Sequence, residues 1–138
     1  MIGKIIASLF LLALPLMATA DLVIVTGSNS SITSLSENEI RQLFSGQLRS
    51  VSGQRVQPLD LPGSDRNREQ FYRKLMGRSP DQMRAYWTRL IFTGQGQPPR
   101  EVSSALELTT LVASSPEYIG YLPASEVNER VRVIYRLN

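Results

Sequence analysis

The chain has 138 residues, carries 15 Lys and Arg against 12 Asp and Glu for a net charge of +3, and contains neither histidine nor cysteine. Those absences exclude a histidine general base, a cysteine nucleophile, a disulfide and an ordinary zinc or copper site. The arginines are spread along the chain with acids between them, whereas a nucleic-acid binder clusters its cations and interleaves aromatics, so no nucleic-acid partner is expected.

Residues 1–20 read as a cleavable signal peptide: Lys4, an apolar run from Ile5 to Met17, and Ala18-Thr19-Ala20 as a small-residue cleavage site. The run is interrupted by Ser8 and Pro15 and falls short of the ~20 residues that span a bilayer. A retained anchor is the alternative; a lipid-modified N-terminus would need a thiol. The expectation is export to the periplasm, no membrane insertion after cleavage, and one domain over residues 21–138.

Leu22 to Thr26, LVIVT, is a continuous apolar and β-branched run of the kind buried on both faces of a parallel sheet. Gly27-Ser28-Asn29-Ser30 breaks it. Ser28 lies beyond the carboxyl end of this strand, where open α/β sheets place ligands, although an ordinary connecting turn fits equally. Ser36-Glu37-Asn38-Glu39 is a capping box opening a short amphipathic helix with Ile40, Leu43 and Phe44 on one face, stopped at Gly46. Ser50 to Gly53 reads as loop, and Arg55 to Leu61 as a second strand. Strand, helix and strand in this order suggest a right-handed parallel crossover.

Pro62-Gly63 then turns the chain into a helix bearing Phe71, Tyr72, Leu75 and Met76 on one face. Ser64 is expected to cap it. The unpaired N–H groups of such a first turn carry the positive end of the helix dipole, and Arg66 and Arg68 bring forked donors that suit tetrahedral oxyanions. The same Ser64-Asp65-Arg66-Asn67 also fits a plain solvated turn. Asp60, Asp65 and Glu69 could gather a hard cation only against the surrounding arginines.

Ser79-Pro80-Asp81-Gln82 starts another helix, with Met83, Trp87, Leu90 and Ile91 on one face and Trp87 read as packing. Residues 92–99 form a turn-rich loop. Ser104 to Glu107 is a third capping box for a helix running to about Ser114, Tyr118 to Leu122 a short strand, Ser125 a cap for a single turn, and Val131 to Leu137 the last strand.

The order of segments resembles a family. LVIVTGSNSSITSLSENEIRQLFSGQL, VQPLDLPGSDRNREQF and VASSPEYIGYLPASEV look like successive blocks of the phosphate ABC transporter substrate-binding proteins, the PstS-like group with the type 2 periplasmic binding protein fold. AYWTRLIFTGQGQPP looks like a hallmark of their short, single-domain members. The resemblance implies a three-layer α/β domain with a mainly parallel or mixed sheet of about four to five strands, corresponding to one lobe of the two that close on the anion. In the family the phosphate turn reads Arg-x-x-Gly-Ser-Gly-Thr. Only Gly63 and Ser64 carry over; Asp60 stands at the arginine position, Asp65 for the second glycine and Arg66 for the threonine, and a shifted alignment brings Arg68 nearer the turn.

The resemblance thus implies an exported, non-catalytic binder of inorganic phosphate or a similar oxyanion, without cofactor or metal, working with ABC transporter membrane subunits or another envelope protein. Its ligand residues would be drawn from Ser28, Asp60, Gly63, Ser64, Asp65, Arg66, Asn67 and Arg68. Asp60 counts against binding, since two like charges at ~4 Å repel by about 4 kcal/mol at an effective dielectric of 20. The alternative is a protein–protein interaction module of the envelope whose ligand site has decayed.

Overall fold

A computed structural model describes residues 20–137 and the isolated positions 3, 12 and 13; the expected signal peptide lies outside the described residues. The elements in order are β1 (Leu22–Gly27), α1 (Glu37–Phe44), β2 (Ser50–Val51), β3 (Gln54–Arg55), β4 (Gln57–Asp60), α2 (Arg66–Met76), α3 (Pro80–Phe92), β5 (Arg100–Glu101), α4 (Ala105–Ser114), β6 (Tyr118–Pro123), a 3-10 turn (Ala124–Glu126) and β7 (Val131–Leu137). Among the described residues no helix is long and apolar enough to cross a membrane.

The main sheet has five strands in the order β5-β4-β6-β1-β7. β1 is an interior strand between β6 and β7 and wholly buried, as its unbroken apolar run requires. Its neighbours are both antiparallel, with Val23 opposite Leu122 of β6 and Arg136 of β7. β4 runs parallel to both β5 and β6. β1 and β4 are therefore antiparallel and separated by β6, which corrects the expected parallel crossover through α1. The sheet is mixed. An apolar run reports burial on two faces, and it carries no information about the direction of the strands beside it.

Alternation along β6 assigns the layers. Tyr121 stacks flat on Phe71 of α2, with ring centroids 3.7 Å apart, and meets Phe44 of α1 edge-on at 5.9 Å. Gly120 must face the other way. A Cβ placed on it would come within 2.7 Å of Leu108 of α4, and one on Gly27 within 2.6 Å of the Val112 carbonyl oxygen. α4 thus lies tight against one face of the sheet while α1 and α2 cover the other, and burying each of these aromatic side chains contributes roughly 1.5–3 kcal/mol.

Helix ends follow local chemistry. Ser36 and Ser79 each accept from the backbone N–H three residues on, and Glu39 and Gln82 return the bond. At α4 the third box is only half formed: Ser104 accepts from Glu107 N–H, while the Glu107 carboxylate turns to the backbone and hydroxyl of Ser103. Three other expectations are corrected. Residues 50–55 are a two-stranded hairpin turned through the left-handed Ser52 and Gly53, so Ser50 and Val51, expected in a loop over residues 50–53, are in a strand. Ser125 lies inside the 3-10 turn and caps nothing. Ile91 is 56% exposed, while Met83 and Trp87 are buried as expected.

Candidate functional site

The β4–α2 connection, residues 61–65, emerges from the carboxyl end of β4. The cap of α2 is Asp65, whose carboxylate accepts from Asn67 N–H at 2.8 Å; this corrects the expected Ser64 cap by one residue. Asp65 and the Asn67 amide are committed to the helix. The shift frees Ser64. It is exposed, and neither its hydroxyl nor its N–H makes a hydrogen bond among the described residues. Arg66 follows at the first helical position, also exposed.

Asp60 is 2% exposed and faces inward, away from the turn's open side. Tyr72 donates to Oδ2 at 2.6 Å, Tyr121 donates a short bond to Oδ1, and Arg68 Nε lies 3.5 Å from Oδ2. The Tyr121 hydroxyl in turn accepts from Leu61 N–H at 3.2 Å. Burial raises the Asp60 pKa above the ordinary carboxylate value, and Arg68 and the two phenol donors oppose that rise. Burial also pushes both tyrosines well above their usual range, with the Asp60 charge acting in the same direction, so each remains a phenol able to donate. Asp60 is thus an anchor for Arg68, and the direct repulsion of a ligand foreseen from its position is buffered by three partners.

Arg68 is the charge at the turn. Its side chain is 28% exposed, Nη1 donates to the Leu61 carbonyl at 3.1 Å, and the same nitrogen lies 3.3 Å from Oε2 of Glu101. Oε1 of Glu101 accepts from Gly63 N–H at 2.8 Å. Sequence reading missed Glu101 because it is 38 positions from Gly63 and sits on a two-residue edge strand without any alternating pattern.

Gly63, Ser64, Asp65, Arg66 and Arg68 together border a groove of about 420 Å³ whose opposite wall is α3, through Met83, Arg84, Trp87 and Thr88. Ser28 is not part of it. Gly27 and Thr26 lie level with Val131 and Ile119, at the start of β6, whereas Asp60 lies toward the Tyr121 end, so Ser28 falls at the other end of the sheet. There Arg132 ties down its loop by donating to the carbonyls of Ser28 and Ser30 at 2.7 and 2.9 Å. The three carboxylates weighed as cation ligands diverge: Asp60 points into the core, Asp65 onto the helix end, and Glu69 to Arg73 at 3.0 Å. Among the described residues no group of three or more such side chains is placed to hold a metal.

No protein-family model and no curated protein matches the chain. Solved structures do. An ABC-type phosphate transport receptor from Vibrio cholerae superposes with a TM-score of 0.66 at 20% identity, over 83% of this chain and 45% of that one. A putative phosphate ABC transporter substrate-binding protein with bound phosphate from Clostridium perfringens gives 0.65 at 14%, over 83% and 44%. PstS from Borrelia burgdorferi gives 0.60 at 14%, over 84% and 48%. The chain spans less than half the length of these proteins. It has the PstS-like α/β fold, matching one lobe of the periplasmic binding protein architecture.

Proposed function

We propose that this chain is an exported, non-catalytic binding protein that takes phosphate or a related oxyanion at the β4–α2 turn and serves phosphate uptake alongside ABC transporter membrane subunits. The observation that carries this reading is the group of donors facing one groove: the unengaged hydroxyl and N–H of Ser64, the N–H of Gly63 and the half-buried guanidinium of Arg68. Backbone donors at a helix start together with a forked cation match a tetrahedral oxyanion. Proteins with the same fold include a phosphate transport receptor and a substrate-binding protein with bound phosphate, which supports the same ligand. Asp60 and Asp65 serve the scaffold, Arg66 adds long-range attraction, and Asn67 contributes through its place in the first turn.

Calorimetric titration with phosphate and with sulfate tests it. Ser64→Ala and Arg68→Ala should each weaken phosphate binding, Arg68→Ala by roughly tenfold or more because it removes charge-assisted bonds. Absence of heat at millimolar phosphate from folded protein would instead favour an envelope interaction module with a decayed site. That second reading draws on the carboxylate already seated at Gly63 and on Phe92, which is 91% exposed at the end of α3.

A further inference from the structure

We infer that Glu101 is the specificity-determining residue of the β4–α2 site, an internal counter-anion that an incoming oxyanion must displace. The inference rests on the oxyanion reading above.

Register fixes where Glu101 stands. β5 pairs with β4 so that Glu101 lies directly beside Asp60, and Val102 N–H donates to the Asp60 carbonyl at 2.9 Å. From there its carboxylate puts one oxygen on the Gly63 N–H at 2.8 Å and the other 3.3 Å from Arg68 Nη1. Those are a backbone donor and a guanidinium donor that a bound oxyanion would bridge. The side chain is 55% exposed, so it can swing into water while the strand that carries it stays in place.

Charge decides what displaces it. With Glu101 docked, Arg68 stands between two carboxylates, Asp60 on the inner side and Glu101 on the outer, and offers no surplus positive charge to the groove. A tethered carboxylate competes at an effective concentration of millimolar order or above, the more so when its backbone is held in a sheet. A monoanion such as acetate brings no more charge and no more acceptors than Glu101 itself, so it gains nothing by exchange. A divalent tetrahedral oxyanion brings more of both, reaching the free Ser64 donors as well. Glu101 thereby lowers affinity for every anion and rejects monoanions almost completely.

The test is calorimetry on the purified wild type, Glu101→Gln and Glu101→Ala with inorganic phosphate, repeated with acetate present, after thermal unfolding has confirmed that each protein is folded. Glu101→Ala should bind phosphate roughly tenfold more tightly than wild type, and acetate should compete only in that variant. Glu101→Gln, which loses the charge but keeps an amide oxygen for Gly63, should fall between them. Phosphate binding by the wild type that is unchanged or weakened in both variants overturns the role of Glu101 and leaves the oxyanion reading intact. Silence from all three folded proteins overturns the oxyanion reading, and the role of Glu101 with it.

Discussion

At Asp60 the position in the chain and the position in space say different things. The residue was legible as a misfit, an acid at the arginine position of the motif its turn resembles, but its surroundings were not. Tyr121 reaches it from 61 positions away and Tyr72 from the next helix, and no local pattern encodes such a meeting. Asp60→Asn keeps the shape and removes the charge that holds Arg68. Its amide stands in for the protonated carboxyl, so below pH 3.8 the two proteins should be about equally stable. The Asp60 pKa is raised in the folded protein, so its stabilising contribution is fully present below the unfolded value of 3.8 and fades as pH rises through the folded value. Wild type should therefore lose stability relative to Asp60→Asn as pH climbs from 3.8, and denaturant titrations across that window should show Asp60→Asn becoming the more stable of the two. Tyr121→Phe removes a donor to Asp60 and an acceptor for Leu61 N–H at once, leaving two buried groups short of a partner. Urea unfolding should register a loss of about 2–4 kcal/mol, against well under 1 kcal/mol for a phenylalanine change at the exposed end of a surface tyrosine.

Helices were readable where their signals are local. The boxes at Ser36 and Ser79 lie within four residues of sequence each, and both form as written. Ser79→Ala should lower stability by about 1 kcal/mol in a chemical melt. Strand partners, by contrast, are set by segments a hundred positions distant, as with β1 and β7, so the direction of β4 relative to β1 and the existence of β5 escaped sequence reading. A two-residue strand has no period to detect. The tight layer between β1 and α4 supplies a sharper test than any cap. A methyl group on Gly27 meets a backbone carbonyl that no side-chain rotation can move, so Gly27→Ala should cost about 1–3 kcal/mol, measured as a fall in the unfolding midpoint.

Over the whole molecule, the resemblance visible in the sequence and the superposition agree on one lobe, and the superposed part covers 45% and 44% of the first two matched receptors. The groove beside Ser64 is bounded by α2 on one side and by α3 on the other. If it takes phosphate, ligand at a hundred times the dissociation constant should raise unfolding stability by about 2.7 kcal/mol, readable in scanning calorimetry and reduced to about half that or less in Arg68→Ala at the same concentration.

The chain holds a single tryptophan, and Trp87 is in the α3 wall of that groove, across from Ser64, Arg66 and Arg68. Trp87 is 8% exposed, and its indole ring packs edge-on to Tyr86 at 4.9 Å. Any reorganisation of the arginines changes the electric field on the one strong fluorophore the protein possesses. Indole emission from the unlabelled chain, excited at wavelengths where the five tyrosines do not absorb, is therefore a site-specific optical signal that reports on events at the groove.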